Sequence, residues 1–67
     1  MVTLLNGPLN GTNLAWGGQT NKDGQLELSC ERGDVLGTLL YEVRQNPETD
    51  LWEAFYLDTV WLGRKVS

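Results

Sequence analysis

The sequence predicts an all-β domain of five short strands, closed into a small barrel or rolled as one antiparallel sheet. Three observations predict it. Residues 25–31, Gln-Leu-Glu-Leu-Ser-Cys-Glu, alternate polar and apolar side chains without a break, the period of a strand with one buried face. Turn-forming pairs punctuate the chain at short intervals: Asn6-Gly7, Asn10-Gly11, Asp23-Gly24 and Gly33-Asp34. No helical apolar period extends beyond a single turn.

Val2-Thr3-Leu4-Leu5 is the first β-prone run, ended by Asn6-Gly7-Pro8-Leu9-Asn10-Gly11. Asn and Gly tolerate positive φ and Pro lacks a backbone donor, so this segment reverses the chain. Residues 12–16 return as a second strand with Leu14 and Trp16 on one face. Asp23-Gly24 then leads into the alternating strand, whose Leu26, Leu28 and Cys30 point inward. A two-residue turn at Gly33-Asp34 pairs Arg32 with Val35, Cys30 with Gly37, Leu28 with Leu39 and Leu26 with Tyr41. The last hairpin, residues 39–57, turns at Asn46-Pro47-Glu48-Thr49-Asp50. Setting Gln45 against Leu51 there pairs Tyr41 with Phe55 and Leu39 with Leu57 on the inner face. It turns Arg44, Trp52, Leu40 and Tyr56 outward, and avoids the Glu42–Glu53 apposition that a one-residue slip creates. Three strands, near 25–32, 35–45 and 51–61, thus follow a two-stranded unit, and the fold expected is SH3-like, with an OB-like barrel as the alternative.

The 67 residues make one domain, 1–67, of which 63–67 is expected to be a frayed, basic tail. Cys30 is the only cysteine and there is no histidine, so an internal disulfide is impossible and metal ligands are scarce. No cofactor or metal is expected, and Cys30 reads as a small inward hydrophobe. Asn21, Asp23 and Gly24 resemble part of a calcium loop, but Gln19 and Cys30 stand where carboxylates are needed. Gly7-Pro8-Leu9-Asn10-Gly11-Thr12 lacks the lysine and the following helix of a phosphate loop. Without histidine a serine has no usual base, and Glu27, Glu42 and Asp58 on an outer face read as solvated carboxylates, so no enzyme is expected.

Nine acidic against five basic residues give a net charge of −4, which works against phosphate-backbone binding. No apolar run approaches the roughly 18 residues of a membrane span, and the start lacks a signal-peptide layout, so a cytoplasmic location without membrane contact is expected. The outer face of the meander offers the best candidate site. Arg44, Trp52, Tyr56 and Leu40, rimmed by Glu42, Asp58 and Glu27, have the composition of a protein-binding surface. The alternative is that the first two strands cover this face and draw Trp52, Leu40 and Tyr56 into the core. Trp16 and Trp61 are expected to be buried.

The opening Val2-Thr3-Leu4-Leu5-Asn6-Gly7-Pro8-Leu9-Asn10-Gly11 resembles a recurrent start of very small proteins of tailed phages and prophages, Leu-x-Asn-Gly-Pro followed shortly by Gly. Tyr41-Glu42-Val43 and Trp52-Glu53-Ala54-Phe55-Tyr56 are similar to the Tyr-rich hairpin that commonly ends them. The resemblance implies a phage accessory protein and carries over no catalytic residue. The expected function is therefore a protein-binding module that modulates a host factor from the host-cell cytoplasm. A virion component, either capsid decoration or a head–tail accessory protein and possible as a homo-oligomer, is the first alternative, and an OB-like nucleic-acid binder the second.

Overall fold

Three strands joined by two tight hairpins form the frame of the molecule, with the strand segments where alternation and turn chemistry place them. The computed structural model describes residues 1–64. Its strands are β1 (Val2–Leu5), β2 (Asn13–Leu14), β3 (Gln25–Arg32), β4 (Val35–Gln45) and β5 (Trp52–Arg64). They form one sheet in the order β2-β1-β5-β4-β3. The protein is all-β, and since β2 and β3 end that order with no ladder between them, the sheet rolls without closing. The frayed tail expected over 63–67 loses Gly63 and Arg64 to β5, and the rest of it lies outside the described residues.

The β3–β4 register is the one read from the sequence, with Cys30 opposite Gly37, Leu28 opposite Leu39 and Leu26 opposite Tyr41. Gly33 has a φ of 62°, as the first central residue of the two-residue turn requires. At the preceding turn the Asn21 side-chain oxygen accepts the amides of Asp23 and Gln25 at 2.9 Å each. The segment that resembled a calcium loop is thus an Asn-nucleated turn leading into β3; the hairpin expected at Asp23-Gly24 does not form, since β3 pairs with β4 alone.

The β4–β5 register is one residue away from the one expected. Asn46 donates its amide to the Leu51 carbonyl and Asp50 donates to the Asn46 carbonyl, both at 2.8 Å. Asp50 takes the left-handed conformation, φ 60°. Asn46 therefore faces Leu51, and each later pair moves by one: Gln45 with Trp52, Arg44 with Glu53, Val43 with Ala54 and Tyr41 with Tyr56. This slip runs opposite to the one that would appose Glu42 and Glu53, and it sets Arg44 against Glu53, an attractive pair.

Beyond Tyr56 the strand bulges. Tyr41 faces Tyr56 but Leu40 faces Asp58, so Leu57 is the extra residue. Expected inside, Leu57 is instead 47% exposed. A second irregularity sets Gly37 against Trp61 and Leu36 against Gly63. Gly37 is required there, because a Cβ on it would lie 2.7 Å from the Trp61 ring.

One ladder is parallel: β1 lies beside the start of β5, Val2 next to Trp52 and Leu5 next to Phe55. Hairpin turns reveal only antiparallel neighbours, and these two strands are separated by the whole meander. The pairing seals the core, in which Val2, Leu4, Tyr41 and Ala54 are fully buried and Leu39 and Leu26 nearly so. Leu14, Trp16, Leu28, Cys30, Val43 and Tyr56 pack around them. The loop after β1 completes this layer: a Cβ on Gly7 would sit 2.5 Å from the Tyr56 ring, so the backbone of the Asn-Gly turn lies directly on that tyrosine.

Candidate functional site

The shifted register decides where the candidate residues go. Leu40, Glu42 and Arg44 of β4 share the outer face with Glu27 of β3 and, beyond the bulge, Asp58 of β5. Trp52 and Tyr56 fall on the inner face with Val43 and Tyr41. The patch of Arg44, Trp52 and Tyr56 is thus not assembled, because one residue of loop closure moves both rings to the other side. Tyr56 packs edge-on against buried Tyr41, ring centroids 5.8 Å apart. Its hydroxyl lies 2.6 Å from that of Thr59. Trp52, 39% exposed, meets Trp16 edge-on with centroids 5.4 Å apart. The Trp16 indole donates to the Gln19 carbonyl at 2.8 Å.

What remains outside is a sheet face of charged groups around half-buried Leu40 and Phe55, the latter expected inside opposite Tyr41 and found opposite Glu42. Arg44 is held by Glu42 at 2.9 Å, both well exposed, a pair of small energetic weight. Glu27 and Asp58 flank Leu40 from its two neighbouring strands, which spaces their backbones about 9–10 Å apart. That separation suits solvated charges. Among the described residues no group of three or more His, Cys, Asp or Glu is placed to hold a metal ion.

A different surface stands out at the far end of the sheet. β5 has thirteen residues, about 43 Å of extended chain, and the molecule's longest dimension is 45 Å. β1 accompanies only its first four residues. From residue 57 onward β5, the start of β4 and the end of β3 project as a three-stranded overhang. Leu57, Val60, Trp61 and Leu62 are 47%, 42%, 46% and 69% exposed there. Trp61, expected in the core, covers Gly37 with one side of its ring and leaves the rest to solvent. Leu9 joins the group from the loop after β1, and with Pro8, Trp61, Leu39, Thr59 and Cys30 it lines a cleft of about 440 Å³ on the inner side.

Sequence reasoning missed this group although the signal was present. Val60-Trp61-Leu62 is an unbroken apolar run at the end of a strand, so it must place large side chains on both faces. With the core supplied elsewhere, at least one face stays uncovered. Set against protein-family models, curated proteins and solved structures, the chain matches none.

Inside the packed half, Tyr41 is the perturbed titratable group. Burial raises its pKa above 10.0, with smaller contributions from Tyr56 and Cys30. Among the described residues its hydroxyl has no hydrogen-bond partner. In a dry core that is a cost carried by the fold, since a buried unpaired hydroxyl is destabilising.

Proposed function

We propose that the chain is a non-catalytic, acidic protein-binding module that docks through the overhanging end of its sheet. The observation that carries this is the exposure of Leu57, Val60, Trp61 and Leu62 around one end of β5, with Leu9 beside them. On the inner side Trp61 stands with Leu9 and Pro8 over a cleft that Arg32 and Glu31 also line, and Val60 on the other face stands opposite Thr38; an aromatic ring beside aliphatic groups and a charged rim has the make-up of a binding hot spot. A cluster of this kind is costly to leave in water, and a partner removes the cost. The opening that resembles phage accessory proteins suggests the partner is a host factor. The outer-face residues Glu27, Glu42 and Asp58 then serve solubility and steering.

The test compares two baits in a bacterial lysate, the wild-type chain and a Leu9→Asp, Leu62→Asp variant, which alters both faces of the overhang. Both positions are exposed, so thermal unfolding should be unchanged while the captured protein is lost. Equal capture by the two baits at equal stability would sink the proposal.

A second reading, a virion component, is favoured by the open strand edges of β3 and distal β5, which suit pairing with neighbouring subunits. Stoichiometric recovery in purified particles tests it.

A further inference from the structure

The gap at which the sheet fails to close has a chemistry of its own. Among the described residues β3 pairs with β4 alone, over eight residues in unbroken register. The two-residue turn at Gly33-Asp34 makes Arg32 and Val35 a hydrogen-bonded pair, so every second residue back along β3 bonds to β4, and those between turn their N–H and C=O to the open side. Gln25 shows the phase, because its amide and carbonyl both bond Asn21, away from β4. Glu27 and Ser29 follow it on that side, where no backbone partner meets them among the described residues. A row of this kind is a template for an incoming strand.

The two sides of the edge differ in what they would accept. On the inner side the seam between β2 and β3 is a cleft of about 400 Å³, with Leu14 and Trp16 on one wall and Leu26 and Leu28 on the other. Alternate side chains of an added strand point into it, and these walls suit apolar groups. On the outer side the row along β3 is Gln25, Glu27, Ser29 and Glu31, with two carboxylates and no base. Glu42 lies diagonally across from Glu27, and Asp58 lies beyond Leu40. Lysine or arginine among the outward residues of the added strand complements this row. A second β3 edge does not, since any register that keeps the apolar sides together sets carboxylates against the same acidic row.

We infer that β3 is the docking edge for an extended segment of a different protein, in which apolar side chains alternate with lysine or arginine. The backbone of that segment extends the ladder at Glu27 and Ser29. Its apolar side chains fill the seam between Trp16 and Leu28, and its bases stand beside Glu27. This edge is separated by β4 from the exposed apolar cluster of β5 and does not depend on it.

Nuclear magnetic resonance titration of the isotope-labelled chain with synthetic octapeptides tests it. A peptide alternating valine and lysine should protect the amides of Glu27 and Ser29 from exchange. It should bind roughly tenfold or more tighter than valine alternating with glutamate, and tighter than a peptide of its own composition with valines and lysines in pairs. Glu27→Lys should remove most of the preference for lysine over glutamate. Ser29→Pro should abolish binding with the fold intact, because the amide it removes faces away from β4 and its ring blocks the edge. No response along β3 at millimolar peptide overturns the inference. So do equal binding of the lysine and glutamate peptides, equal binding of alternating and paired ones, or a Glu27→Lys chain that keeps the full preference. Concentration-dependent protection of β3 without peptide would seat a second copy there and also overturn it. The Leu9→Asp, Leu62→Asp variant should still bind the valine-lysine peptide; loss of binding there would place the peptide on the overhang and overturn this edge while leaving the overhang as a docking surface.

Discussion

The two ends of this sheet are built from the same strands and differ in what lies over them. At one end β1, β2 and the loop carrying Gly7 cover β4 and β5, and Val2, Leu4, Tyr41 and Ala54 lose all contact with water. At the other end β3, β4 and β5 continue without that layer, and Trp61 and Leu62 keep 46% and 69% of their surface. Apolar content does not separate the ends, since each is rich in Leu, Val and aromatic rings. The difference teaches that a strand's pattern assigns side chains to a face, while burial needs a second element, and here that element ends with Leu5.

The largest effect that would break this contrast is a matched pair of truncations. Leu4→Ala removes a fully buried side chain and should cost about 2–5 kcal/mol, a large share of what a domain this small holds. Leu62→Ala, at the other end, should stay within about 0.5 kcal/mol. Urea unfolding of both variants checks the pair, and equal losses would show that the overhang is covered in solution.

The elements were legible in the sequence because alternation and turn chemistry are local. Leu26, Leu28 and Cys30 announced β3, and Gly33-Asp34 fixed its register with β4 outright. The β4–β5 register was harder, since the Pro47 loop admits closures that differ by one residue, and the one it takes sets Asn46 against Leu51 with Asp50 in the left-handed conformation. That single residue carried Trp52 and Tyr56 to the inner face, so the expected docking patch failed with the register. Leu57 escaped because a bulge leaves no mark in a two-residue period, and β1 beside β5 because distant parallel pairing has no turn to betray it. Of the candidate site, Arg44, Glu42, Leu40, Glu27 and Asp58 were correctly grouped on one outer face. The rings expected to give it affinity were not there.

Tyr41 sharpens the contrast at intermediate size. Its unpaired hydroxyl sits in the closed half, so Tyr41→Phe should raise stability by about 1 kcal/mol, the order of the penalty for one unsatisfied group. Titration adds an independent check. Burial, then Tyr56 and Cys30, hold the folded pKa above 10.0, which makes the unfolded chain the readier to ionise. The stability tied to the neutral phenol is therefore intact below about pH 10 and is lost as pH rises through the folded value. Wild type should lose stability in that alkaline window more steeply than Tyr41→Phe. Parallel alkaline profiles would mean that water reaches this hydroxyl and that the packed end is not dry.

The smallest effect bears on the register from which the whole contrast follows. With Asn46 facing Leu51, Arg44 stands across from Glu53 on the outer face, whereas in the neighbouring register it would stand across from Trp52. A double-mutant cycle with Arg44→Ala and Glu53→Ala should give a favourable coupling of a few tenths of a kcal/mol, shrinking as salt is added. Arg44 also bonds Glu42 along its own strand, but that contact is lost equally with or without Glu53, so the cycle cancels it. Strictly additive losses at low salt would return Trp52 and Tyr56 to the outer face. The exposed cluster near Trp61 would then cease to be the molecule's main apolar surface.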